Sequence, residues 1–146
     1  MVRAIAVIAN GGYLVEPHVV KEVVSDTQDI TIKPKIVRQA ISSKAAQEVT
    51  AMMVNAVANG EAKWAAPKGF QIAGKTGTAQ IPVGGKYDPS KTNASFVGFA
   101  PASNPKFVML VTLHNPTSSP WAAETAAPLW FAIAKDLFLY WGVSKF

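Results

Sequence analysis

Ala73-Gly74-Lys75-Thr76-Gly77-Thr78-Ala79-Gln80 is the stretch whose reading decides the fold. Phe70 and Ile72 before it and Ile81 after it make residues 70–81 read as a β-strand. Two glycines inside one strand cost sheet stability and ask for a reason. So does the lysine, because an ammonium in an apolar strand is costly unless it meets water or an anion. On a regular strand Thr76 and Thr78 point to one face, and Lys75 and Gly77 to the other. Gly77 removes a side chain and lets another backbone come close. Two hydroxyls beside a cation can bind a carboxylate. The plainer alternative is an ordinary strand with a rim lysine and a bulge at glycine. Residues 69–76 also match the phosphate-loop pattern Gly-x-x-x-x-Gly-Lys-Thr letter by letter. Context rejects that match. Phe70 and Ile72 want a strand, and no helix-forming run follows Thr76 where a nucleotide site needs a helix N-terminus.

Downstream, residues 82–91 read as a polar, Gly-rich loop and 94–100 as a second strand. A tight connection at 101–106 leads to a third strand at 107–113. The short link makes strands two and three an antiparallel hairpin. The third run is nearly all apolar, which predicts that both its faces are covered. After a loop at 114–120, Ala126, Leu129, Trp130, Ile133, Ala134, Leu137, Phe138 and Trp141 keep helical spacing, with Pro128 in the first turn. That helix should lie across the sheet.

Upstream, Ser42 or Ser43 is a candidate N-cap. Val49, Met52, Met53, Ala56 and Val57 then form one apolar stripe on a helix ending near Asn59-Gly60, with both methionines as core filler. A short helix over 3–9 is stopped by Asn10-Gly11-Gly12. Between the two helices lie short extended pieces at 13–15, around Val19, Val20, Val23 and Val24, at 30–32 and at 36–37. The fold class is α+β, an antiparallel sheet covered by helices.

The chain has 146 residues, one domain's worth of polymer. Apolar residues make up 49% and charged residues 16%, which excludes a disordered chain. Fourteen basic against nine acidic residues give +5, but no three basic residues adjoin, so no nucleic-acid partner is expected. Absent cysteine excludes disulfides and thiolate chemistry. Two histidines, His18 and His114, without an acidic spacing pattern do not make a metal site. The apolar run at 4–9 is too short for a signal sequence, and no run is long enough to span a membrane. Any export element or anchor lies outside this chain.

The ordered pieces of the sequence resemble the transpeptidase domain of class B penicillin-binding proteins. They are Ala9-Asn10-Gly11-Gly12 with Pro17, then Gly74-Lys75-Thr76-Gly77-Thr78-Ala79-Gln80, then Ala94-Ser95-Phe96-Val97-Gly98-Phe99-Ala100-Pro101, then Asn115-Pro116, and Ala126-Ala127-Pro128. Lys-Thr-Gly alone is a weak signal; the ordered set is a strong one. The resemblance covers residues 1–146 but only the later portion of the family's domain, and is closer to division-type and sporulation-type members. Where the family carries Gly-Thr before the lysine strand, this chain has Gly60-Glu61.

The resemblance implies the penicillin-binding protein and serine β-lactamase-like fold, with the N-terminal strands and the helical lobe missing. It implies acyl transfer that cross-links peptidoglycan stem peptides ending in D-Ala-D-Ala, and binding of β-lactams once the upstream region completes the site. No cofactor is expected. Lys75 would support the electrostatics and proton traffic of the nucleophile and hold the substrate's carboxylate region. Thr76 and Thr78 would contact that carboxylate, with Thr78 the favoured donor. The Thr78 backbone N–H would form half of the oxyanion hole, and Gly77 would leave room for substrate along the strand edge. The full-length protein would work at the extracytoplasmic face of a bacterial membrane.

The family also uses a Ser-x-x-Lys nucleophile and a Ser-x-Asn group. No serine here has asparagine two residues on. The one Ser-x-x-Lys is Ser103-Asn104-Pro105-Lys106, where the proline and the tight turn argue against the helix that would bring serine and lysine to one face. The chain is therefore expected to be inactive alone, its partner being the missing N-terminal part of the same protein. A third strand without its neighbour would offer an apolar edge for self-association. A carboxylate-binding or structural module without catalysis is the competing reading. A complete hydrolase built on His18 or His114 is a third reading: His18 follows Pro17 with no nucleophile near in sequence, and His114 follows a strand at the start of a loop.

Overall fold

The computed structural model describes residues 1–145. Its elements run α1 (Val2–Ala9), β1 (Tyr13–Val15), β2 (Glu22–Val24), β3 (Asp29–Thr31), β4 (Ile36–Gln39), α2 (Ser43–Asn59), β5 (Ala73–Val83), β6 (Lys86–Ala100), β7 (Phe107–His114) and α3 (Ala126–Tyr140). β5, β6 and β7 form a three-stranded antiparallel sheet in that order. β1 pairs with β4 and β2 with β3 in two separate ribbons. The chain is thus α+β.

Register assigns the two faces of the main sheet. Gly74, Thr76 and Thr78 stand opposite Gly98, Phe96 and Ala94. Phe96 and Ala94 in turn stand opposite Val111 and Leu113. This face is covered by α3, whose Trp130, Phe131, Ala134 and Phe138 are buried together with Phe96, Ala94 and Ala100. On the other face Ala73, Phe99 and Val108 align, packed with Met53 of α2 and Ile5, Ile8 and Ala9 of α1. Lys75, Gly77 and Ala79 continue along that face beside Val97, Ser95 and Asn93.

Helix α2 starts where expected: the Ser42 hydroxyl oxygen accepts the Ala45 N–H at 3.1 Å. Its buried residues are Ala46, Met53 and Val57. Met52 is 68% exposed, so it is not core filler. It lies one helical step, about 100°, off the line through Met53 and Val57 that meets the sheet. In α3 the buried line runs through Trp130, Phe131, Ala134 and Phe138, whereas Leu129 and Ile133 are exposed. The expected wide apolar face therefore exceeds what the sheet covers.

Three strand readings need correction. β5 begins at Ala73, not at residue 70; before it, only the Gln71 carbonyl reaches across, to the Ala102 N–H. Residues 82–91 are no loop: β5 and β6 continue as a ribbon, closed by Gly84 and Gly85 at φ 58° and 82°. Two positive-φ residues suit a two-residue hairpin turn. Pro82 is tolerated because β5 is an edge strand. Pro89, Ser90 and Lys91 bulge where the register passes from Gln80↔Thr92 to Ile81↔Asp88. The Asp88 carboxylate accepts both the N–H and the hydroxyl of Ser90, which lowers its pKa. The third correction concerns β7, which is only half-buried along most of its length. α3 covers Phe107, Met109, Val111 and Leu113, while Thr112 and His114 on the opposite face are exposed.

Gly74 is required by close approach. A Cβ there would meet Cε1 of the buried Phe96 ring at 2.7 Å. Gly74→Ala is expected to overpack this contact and lower stability by about 1–3 kcal/mol in thermal or urea unfolding. Gly77→Ala, which meets the Ser95 hydroxyl instead, should cost less.

Candidate functional site

The strand alternation around Lys75 is as the sequence implies, but the lysine folds back across its own strand. Its Nζ donates to the Thr76 carbonyl at 3.2 Å and to Thr76 Oγ1 at 3.1 Å. The amine and one hydroxyl therefore share a single place. Both line a cavity of about 310 Å³ whose other walls are Ala56, Gly60, Glu61, Ala62, Gly74 and Phe96. Larger hollows, such as that beside Trp64 and Phe70, lie away from it.

Thr78 is placed differently. Its hydroxyl oxygen accepts the N–H of Ala122 at 3.2 Å, in the segment that leads into α3. A hydroxyl that accepts one bond keeps its own hydrogen to donate. Thr78 lies on the same face as Thr76 but does not line the Lys75 cavity. Gly77 is exposed, and what a side chain there would meet is the Ser95 hydroxyl at 2.8 Å. That hydroxyl donates to the Gly77 carbonyl at 3.2 Å. Lys75 and Thr78 are exposed and Thr76 is half-buried, so the row is open to an incoming ligand. As the sheet's edge strand, β5 also turns alternate backbone N–H groups away from β6.

The segment beside this edge is held by a residue that sequence reasoning missed. Thr92 is 3% exposed. Its hydroxyl donates to the Pro120 carbonyl at 2.6 Å, and its own carbonyl accepts the Asn115 N–H at 2.8 Å. Thr92 and Thr78 thus fasten the two ends of the stretch running from Asn115 to Ala122. The available signal was a lone β-branched hydroxyl between polar neighbours, which resembles many exposed threonines. Ser103, the serine of the one Ser-x-x-Lys, is exposed in the β6–β7 turn, beyond the Ala73–Phe99 pair and outside any helix. His114 is exposed, with Nδ1 2.6 Å from Asn93 Oδ1.

Residues 1–138 match the family described as penicillin binding protein transpeptidase domain. The chain belongs to that family. It is 34% identical to stage V sporulation protein D of Bacillus subtilis over 139 residues, covering 92% of this chain and 22% of that protein. It is 31% identical to the probable peptidoglycan D,D-transpeptidase PenA of Neisseria flavescens, covering 99% of this chain and 34% of the relative. The crystal structure of penicillin-binding protein 3 from Mycobacterium tuberculosis, complexed with ampicillin, superposes with a TM-score of 0.83 at 31% identity. That match covers 99% of this chain and 34% of the other. The chain thus spans between about a fifth and a third of these penicillin-binding relatives.

The Thr78 contact can be checked within this chain. Ala122 is fully buried. Thr78→Val should leave its N–H without the present acceptor, at a cost of about 1–3 kcal/mol. The measurement is amide hydrogen exchange, in which Ala122 should lose protection while the β6–β7 amides keep theirs.

Proposed function

We propose that residues 1–146 form the C-terminal portion of a serine D,D-transpeptidase domain. They would supply the wall that receives the carboxylate of a peptidoglycan stem peptide ending in D-Ala-D-Ala, or of a β-lactam. The observation that carries this reading is the Lys75 amine joined to the Thr76 hydroxyl in one open cavity, with Thr78 two residues on along the same edge. The ammonium supplies charge and the hydroxyls supply directed donors, a combination suited to an anion. Family membership and the ampicillin complex of the related penicillin-binding protein 3 support the choice of ligand.

In the complete reaction a serine hydroxyl adds to the penultimate D-Ala carbonyl and expels the terminal D-Ala. An amine of a second stem peptide then takes the acyl group. The Thr78 N–H would be one of the two donors to the oxyanion. Lys75 would favour proton transfer from the serine by placing a positive charge beside it. The serine and its activating base must stand within about 3 Å of each other. Ser103 and Lys106 do not provide that pair, because their turn is not helical. The nucleophile would come from an N-terminal part of the same protein, working at the extracytoplasmic face of the membrane. No helix among the described residues is long and apolar enough to cross a membrane.

The isolated chain should therefore take no covalent label from a fluorescent penicillin, read by denaturing gel and intact mass. Stoichiometric acylation at any of its serines would overturn the proposal. Adding the upstream region in one open frame should create labelling. The competing reading, a non-catalytic carboxylate-binding module, expects none even then.

The edge of β7 carries a second proposal, self-association. β7 ends the sheet, and its Val108 and Leu110 are only half-buried. Sedimentation of the chain should show a concentration-dependent dimer, and Leu110→Pro should abolish it, because proline cannot donate to a new ladder. A monomer at all concentrations would refute it.

A further inference from the structure

The cavity beside Lys75 contains a charge of the opposite sign. Glu61 follows the Gly60 cap of α2 and lines the same space of about 310 Å³ as Lys75, Thr76, Gly74 and Phe96. Glu61 is exposed, and it takes part in none of the ion pairs among the described residues, which join Lys35 with Glu16, Lys44 with Glu48 and Lys91 with Asp88. Lys75 is in none of them either; its amine is turned onto Thr76. One small cavity thus holds an unneutralised carboxylate and an unneutralised ammonium.

The rest of the lining is apolar. Ala62 and Phe96 are buried, and Gly74 has no side chain to fill the space. A ligand in that cavity meets a cation and a hydroxyl, and also an anion. A ligand with a single negative charge gains from Lys75 and is repelled by Glu61. A ligand that also carries an ammonium gains from both.

The geometry points to Glu61 as a specificity-determining residue: it forms a subsite for a primary ammonium on the same peptide whose carboxylate is held by the Lys75-Thr76-Thr78 row. This rests on the carboxylate-wall reading and adds the second charge. In chemical class the ligand is a zwitterionic peptide, with a free amine a few side-chain bonds from the C-terminal D-Ala-D-Ala.

The test uses the 146-residue chain, isotope-labelled and followed by NMR. Two probes are titrated: Nα-acetyl-Lys-D-Ala-D-Ala, with a free ε-amine, and the Nα,Nε-diacetyl peptide, without one. At low salt the free-amine peptide should bind about three-fold more tightly, as fits one exposed ion pair. The preference should shrink as ionic strength rises. In Glu61→Gln the ratio should fall to about one, and Glu61→Asp should restore part of it. Lys75→Ala should weaken both peptides together. Equal affinities in the unaltered chain, or a ratio that survives Glu61→Gln, would overturn the Glu61 assignment and leave the carboxylate wall standing. If Glu61→Gln tightened both peptides alike, Glu61 would be a competitor for Lys75 and not a subsite. If neither peptide moved any signal of β5, the carboxylate wall itself would fail, and the subsite with it.

Discussion

One ring and one missing side chain tie the strand that carries the site to the rest of the protein. Phe96 lies over Gly74 and is buried against Trp130 and Phe131, with ring centroids 5.2 and 5.1 Å away. Besides its ladder with β6, the edge strand is held on its other face by Ala73 packing against α2 and α1. Phe96 lets β5 share the α3 core without burying a large side chain of its own at the site. The same ring floors the cavity beside Lys75. Gly98 serves a parallel end, since a Cβ there would meet the Ala73 carbonyl at 2.6 Å. The glycines of this sheet are therefore contact positions, and the site inherits its shape from them.

That dependence explains what could be read from the sequence. The Lys-Thr-Gly-Thr run, the β6–β7 hairpin and the N-cap at Ser42 each rest on a local signal, such as alternation, a short link or a hydroxyl before a helix. They stand where those signals place them. The ribbon beyond Gln80 did not. Pro82, Gly84, Gly85 and Pro89 all read as loop residues, yet an edge strand tolerates proline, and two glycines at positive φ close a hairpin. Met52 and Leu129 failed for another reason. Helical spacing identifies apolar positions, but how wide a stripe is buried depends on the curvature of the surface opposite. The folding of Lys75 onto Thr76 and the bond from Ala122 to Thr78 were also hidden. Both join groups whose pairing depends on side-chain rotamers or on a loop far along the chain.

The loop between β7 and α3 shows how the site's rim is built without regular structure. Asn115 takes positive φ and donates its N–H to Thr92. The Thr92 hydroxyl returns a bond to Pro120, and Thr78 receives one from Ala122. Thr125 then bonds back to the Trp121 carbonyl at 2.7 Å. In the last three bonds a hydroxyl satisfies a backbone group that a turn leaves unpaired. Two of the three hydroxyls belong to the sheet, so the loop takes its position from the strands. Thr78 thereby fixes the rim with its lone pair and keeps its own hydrogen for another acceptor.

The other face of β5 sets what the wall can do. Along it the column passes from Ala73, Phe99 and Val108, packed against α1 and α2, through Lys75 and Val97, to Gly77, Ser95 and Thr112, and ends at Asn93 and His114. Apolar and covered gives way to polar and open within a few residues, and Lys75 sits at the change. A lysine at such a boundary can lay its stem along apolar surface while its amine reaches water. Its attraction for an anion is weak as long as that water remains, since at about 4 Å a unit pair is worth only about 1 kcal/mol in bulk solvent and several times more where solvent is excluded. On the proposed reading, the wall would become a strong receptor only when a second surface lies over it and displaces the water. Anion affinity and completion of the reacting centre would then be the same event, because the surface that dries Lys75 would also bring the serine.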